Sequence, residues 1–207
     1  MPSEPATLTP LQFAALAIYA EQPRHPYEVF QEMLKRREDR LVKVRPGTLY
    51  HAVNRLAELG LLEAAGTGRE GNRPERTTYA ITEAGREAVA AHVAQAVARR
   101  AEEFPEFPLA LAELHNLEPS AAAALLARRA AALRSELDSL DAAEPHLRGS
   151  DLPEVLWIEH TWLSTMTRSD LAWTEALVRR LRSGDLTWSR ESLEEFGRTR
   201  RQAALAP

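Results

Sequence analysis

Asn54 and Arg55 are neighbours in a segment, Arg45 to Gly60, whose outward residue types match what reading a DNA base edge requires. An asparagine amide offers adenine a paired donor and acceptor, an arginine fork grips the two acceptors of guanine, and the Thr48 methyl complements a thymine methyl. Tyr50 suits a phosphate contact through its hydroxyl, and His51 shares the polar side. Backbone N–H groups at Gly47 and Thr48 would add to phosphate binding, because the positive end of a helix dipole lies there. Arg45, just ahead, is placed for one more phosphate contact.

Such side chains need a rigid carrier, and the same residues supply one. Leu49, Val53, Leu56 and Gly60, with Ala52 and Leu59 beside them, recur at three- and four-residue spacing and predict one buried helix side. Thr48, His51, Asn54, Arg55 and Glu58 are left outside. Pro46 suits a first helical position, and Gly60 suits the left-handed residue that ends a helix. Upstream, a helix is expected over about Pro10 to Glu21, apolar nearly all round, and a second from about Pro26, burying Val29, Phe30, Met33 and Leu34. Tyr27, at its start, could touch DNA or pack the helix pair. Downstream the period becomes strand-like, at Leu61 to Ala65 and again at Thr77 to Ile81, which predicts a hairpin. Its connection, Gly66 to Arg76, combines three glycines with Arg69, Arg73 and Arg76. A flexible basic tip suits phosphate or minor-groove contact.

Three helices followed by a two-stranded wing is the winged helix-turn-helix plan, with the third helix in the major groove. Gly47-Thr48-Leu49-Tyr50, then Val53, Leu56 and Gly60-Leu61-Leu62, then Tyr79-Ala80-Ile81-Thr82-Glu83-Ala84-Gly85 resemble the signature of the PadR family of transcriptional regulators. The likeness runs over about Leu8 to Val89 and includes His25-Pro26-Tyr27-Glu28-Val29. Two departures are His51, where many relatives carry proline, and Arg45-Pro46, where a serine cap is common. The resemblance implies a homodimer on an inverted repeat, dimerised by the helix after the wing and the C-terminal helices.

The fold expected is mainly α: a winged helix-turn-helix N-terminal domain with a two-stranded β-wing, and an all-α C-terminal dimerisation domain. Boundaries are expected at 1–8 (flexible start), 9–82 (DNA-binding domain), 83–104 (linking helix), 105–188 (helical domain) and 189–207 (polar tail). Thr82 caps the linking helix, whose Val89, Val93 and Val97 could zip against a partner. Leu126, Leu133, Leu137 and Leu140 recur at near-heptad spacing on a later helix and join them as dimerisation candidates. A helix over about Pro153 to Leu181 aligns Val155, Ile158, Trp162, Met166, Trp173 and Leu177. All four tryptophans lie in the last 51 residues. Trp157, Trp162, Met166 and Trp173 could line a pocket for a small hydrophobic or aromatic effector, although core or dimer packing is the favoured reading.

Charge agrees with this division. From Arg24 to Arg76 there are 11 Lys or Arg against 8 Asp or Glu, whereas residues 91–207 carry 14 against 18. A mildly basic module is joined to an acidic one. With no cysteine among 207 residues, disulfides, thiolate zinc sites and a cysteine nucleophile are excluded. The six histidines fall at no ligand spacing, so no metal and no cofactor are expected. His160, Ser164 and Asp170 lack a nucleophile elbow, so no catalysis is expected either. The start lacks a secretory pattern, and a soluble cytoplasmic protein follows. The function expected is a sequence-specific regulator, a homodimeric repressor on double-stranded DNA. The competing reading is a winged helix that binds protein without reading DNA.

Overall fold

A computed structural model describes residues 8–68, 76–99 and 103–204. The chain divides into two compact units, Met1–Glu103 and Phe104–Pro207. In the first, α1 (Pro10–Tyr19), α2 (Pro26–Lys35) and α3 (Pro46–Glu58) precede β1 (Leu62–Gly68), β2 (Arg76–Ile81) and α4 (Glu83–Ala98). The two strands pair antiparallel, with Leu62 opposite Ile81. The chain is mainly helical with a two-stranded wing, as the sequence pattern predicts.

Local sequence explains the helix starts. Thr9 caps α1 and exchanges hydrogen bonds with Gln12, and Pro10 fills the first turn, where its missing N–H costs nothing. His25 caps α2 through its ring, and Glu28 reaches back to the His25 N–H at 2.8 Å. Between α2 and α3, Glu38–Arg40 forms a single 3₁₀ turn.

The core of this unit is one cluster in which Leu16, Ile18, Val29, Met33, Leu49, Val53 and Leu56 are fully enclosed. Each side chain of this size contributes about 1.5–3 kcal/mol on burial. Leu59, expected with them, is instead half out of the core, because α3 ends at Glu58 and Gly60 turns away at φ 71°. Thr82 then ties the end of the recognition helix to the start of α4. Its hydroxyl donates to the Gly60 carbonyl at 2.7 Å and accepts from the Gly85 N–H at 3.1 Å. Helix α4 stops at Ala98, short of the expected Glu103.

On the outer side of α1 and α2, Arg36 donates to both Glu21 and Glu32, at 2.5 Å and 2.7 Å. Hydrogen bonds from Arg36 hold both carboxyls below the usual glutamate range. Depressed values mean that this stabilisation is present at neutral pH and is lost as pH falls through the folded values. Urea midpoints measured from pH 7 downward should therefore fall more steeply in the wild type than in Arg36→Met. The difference should be modest, since the network is partly solvated.

The second unit contains α5 (Glu106–Ala112), α6 (Pro119–Arg148), α7 (Ile158–Ser183) and α8 (Arg190–Ala204). Helices α6 and α7 form the principal pair, linked by Arg129–Asp170, Arg134–Glu175 and Arg168–Asp141 ion pairs. Two corrections arise here. Leu126, Leu137 and Leu140 are buried inside this unit, so these three are unavailable to a partner chain, while Leu133 is partly buried against its core. The inward side of α7 is His160, Ser164, Thr167, Leu171, Thr174, Leu177, Val178 and Leu181. Trp162, Met166 and Trp173 lie on its other side and are 61%, 45% and 50% exposed. Large residues at helical spacing predict core, but here leucines and a valine share the inward row with small polar residues, and the aromatics are left outside. The expected polar tail contains a further helix, α8.

Candidate nucleic-acid interface

The polar side of α3 is arranged as the sequence pattern requires. Thr48, Tyr50, His51, Asn54, Arg55 and Glu58 are exposed, while Leu49, Ala52, Val53 and Leu56 are buried beneath them. The helix enters from Arg45, whose backbone is extended and whose side chain makes no cap; the Thr48 hydroxyl donates to the Arg45 carbonyl at 2.9 Å instead. Space in front of this first turn is open, for a Cβ placed on Gly47 would meet nothing within 4 Å.

Arg55 is held by Glu58 at 2.9 Å, a pair the sequence reading did not anticipate. Both side chains are more than half exposed, and such pairs contribute about 0–1 kcal/mol. A bidentate guanine contact is worth about 1–3 kcal/mol of discrimination, so a base edge can take the guanidinium from Glu58.

Elements around α3 fix its position. The edge of the His25 ring meets Tyr50 with centroids 6.1 Å apart, and His25 Nδ1 accepts the Tyr27 N–H at 3.1 Å. This acceptor role requires the Nδ1 position to be unprotonated. Histidine in a cap is unusual, yet the pattern was legible: His25-Pro26, a glutamate three residues later, then an apolar run. Tyr27 is half exposed beside Phe30, consistent with either of its two expected roles. Beneath them Tyr19 is fully buried, and burial, with Tyr79, Glu28 and Tyr50 nearby, pushes its hydroxyl above the usual phenol range.

The wing is anchored at its base. Arg24 and Tyr79 exchange backbone hydrogen bonds at 3.0 Å and 2.9 Å, adding a one-residue bridge from the α1–α2 connection to β2. Both strands extend beyond the apolar runs read from sequence, β1 to Gly68 and β2 from Arg76. Arg76 begins β2; Arg69 and Arg73 lie outside the described residues.

Outside this surface, Val93 and Val97 are exposed on α4, Val97 by 83%, while Val89 packs against its own unit's core. Of the four effector candidates, Trp157 is buried, whereas Trp162, Met166 and Trp173 are exposed. Among the described residues, no group of three or more metal-ligating side chains comes together. None of the described helices is long and apolar enough to cross a membrane.

Three helices, a bridged two-stranded wing and an exposed polar side on the third helix define a winged helix-turn-helix protein. More narrowly, residues 15–91 match the transcriptional regulator PadR-like family. Its fold is similar to Bacillus subtilis PadR in complex with operator DNA (TM-score 0.68, 15% identity, 84% of this chain and 99% of that one). It is also similar to the same protein in complex with p-coumaric acid (TM-score 0.65, 15% identity, 83% and 98%). A PadR-like transcriptional regulator from Bacillus cereus follows at TM-score 0.61, 13% identity, 84% and 99%. No curated protein matches the sequence. These matches show a winged-helix fold of the kind found in PadR-family regulators.

Proposed function

We propose that the protein is a homodimeric repressor that places one α3 in each half of an inverted-repeat operator. The observation that carries this reading is the exposed row Thr48, His51, Asn54 and Arg55 above a fully buried one. Asn54 and Arg55 read base edges; Arg45, Tyr50, Gly47 and Thr48 hold phosphates at the helix start, and Tyr27 holds one from α2. The wing arginines Arg69, Arg73 and Arg76 supply a second grip. Exposed Val93 and Val97, with Trp162, Met166 and Trp173, supply apolar surface for a second copy. A small hydrophobic or aromatic effector relieves repression, a reading supported by the p-coumaric acid complex of the B. subtilis protein.

A labelled fragment of the protein's own promoter should be bound, with affinity falling steeply as salt rises. Absence of salt-sensitive binding would overturn the repressor reading and favour a protein-binding winged helix. Within the complex, Arg55→Ala should cost about 1–3 kcal/mol and relax preference at one base pair. Arg73→Ala should weaken all sequences alike. Indistinguishable specificity profiles for the two variants would refute the division of labour between helix and wing.

A further inference from the structure

The segment leading into α3 has a pattern that base reading does not use. Val42 and Val44 are partly buried against the core of the first unit, while Lys43 and Arg45 between and after them are exposed. This two-residue alternation is that of an extended chain with one side inward. Arg45 confirms it locally, with φ −137° and ψ 143°. Neither Lys43 nor Arg45 makes an ion pair or side-chain hydrogen bond with another described residue. Two basic residues upstream are engaged: Arg36 is held by Glu21 and Glu32, and Lys35 lies 4.0 Å from Glu32.

Alternate residues of an extended chain lie about 7 Å apart. Successive phosphates along one strand of B-DNA are separated by about the same distance, once the rise of about 3.4 Å is combined with the turn of the backbone. We infer that Lys43 and Arg45 form a two-phosphate rail, each cation meeting one of two consecutive phosphates on a single DNA strand. This inference rests on the operator-binding reading and extends it to Lys43, a residue to which the base-reading argument gives no part. The valines make the rail stiff: anchored in the core, they fix both the spacing of the two cations and their lead into the first turn of α3. A rail of this kind sets how far the recognition helix enters the groove and carries no sequence preference.

The experiment uses the full-length protein and its promoter fragment, with fluorescence anisotropy followed across a salt series. Lys43→Ala and Arg45→Ala should each lower the slope of log affinity against log salt by about 1, and the double variant by about 2. Affinity at moderate salt should fall about threefold to tenfold per site, while the ratio between operator and unrelated DNA stays constant. Lys43→Arg should restore the slope, and unchanged thermal unfolding should accompany all four variants because both side chains are exposed. If the wild type binds with a steep slope and the double variant keeps it, the rail is wrong and the operator reading stands. A change in sequence preference on Lys43→Ala would equally refute the rail. If the wild type itself shows no salt-dependent binding, the operator reading fails, and the rail with it.

Discussion

Gly85→Ala is expected to destabilise the protein by about 2–3 kcal/mol, although alanine is the better helix former by about 1 kcal/mol. Gly85 is buried in the first turn of α4, where the helix leaves the wing. A Cβ there would lie 2.6 Å from Ile81 Cγ1 and closer still to the Leu61 carbonyl oxygen. Ile81 could adjust its rotamer, but the Leu61 carbonyl cannot retreat. It accepts the Thr82 N–H at 3.1 Å and lies between the left-handed Gly60 and the first residue of β1. Helix α4 would have to shift, breaking the Thr82 links to Gly60 and Gly85. Urea unfolding should show a lower midpoint with unchanged slope. An equal or higher midpoint would mean that α4 is not seated this tightly on the wing root.

That clash explains why the motif around Gly85 is so informative at sequence level. A glycine inside a helix is a local disadvantage, so its presence three residues after a capping threonine marks a close backbone approach. The same logic made α3 legible at both ends and on both sides: Pro46, Gly60, the buried row and the exposed row follow from local rules that packing did not override. Lys43 escaped notice because an alternation of two valines and two cations is too short to stand out before the core is known. The Arg55–Glu58 pair is not legible in the sequence, since a three-residue spacing on an exposed side permits a pair without requiring one. His25 shows the converse, a cap whose pattern was present but whose residue type is rare in that role.

The second unit misled in a more general way. Side-chain size suggests core or dimer packing for Trp162, Met166 and Trp173 and gives no inward role to Ser164, Thr167 or Thr174. In the structure the small polar residues face α6, and the alanines Ala122, Ala123 and Ala130 of α6 are buried in return. Close helix approach favours small side chains, so two rows of them specify an intimate pair as firmly as a leucine stripe does. Polar seams carry a cost: His160 Nε2 and Ser164 Oγ are buried without hydrogen-bond partners among the described residues. With its inner side filled by Leu171, Leu177, Val178 and Leu181 alongside Ser164, Thr167 and Thr174, α7 leaves Trp162, Met166 and Trp173 on the opposite, exposed side.

On the proposed reading as a homodimeric repressor, Trp162→Glu should convert the dimer into a monomer and lower operator affinity by a factor of about 100 or more. Ile158, Trp162, Met166 and Trp173, at spacings of four, four and seven, form one exposed stripe along α7. A tryptophan buries about 150–250 Å² when enclosed, so covering the exposed 61% of Trp162 yields about 2–4 kcal/mol at about 25 cal/mol per Å². One such residue in each copy contributes twice across a symmetric contact. A carboxylate there reverses the sign by requiring two charges to be desolvated. Its effect on the fold of the unit should be small, since Leu171, Leu177, Val178 and Leu181 hold α7 to α6 from the opposite side. Loss of affinity then follows from geometry: linked recognition helices bind the second half-site at high effective concentration, and separated ones do not. Sedimentation and operator titration of Trp162→Glu and Trp162→Phe check this, with the phenylalanine variant expected to stay dimeric. If Trp162→Glu dimerises like the wild type, the α7 stripe is not the contact, and the exposed Val93 and Val97 of α4 become the surface to substitute next.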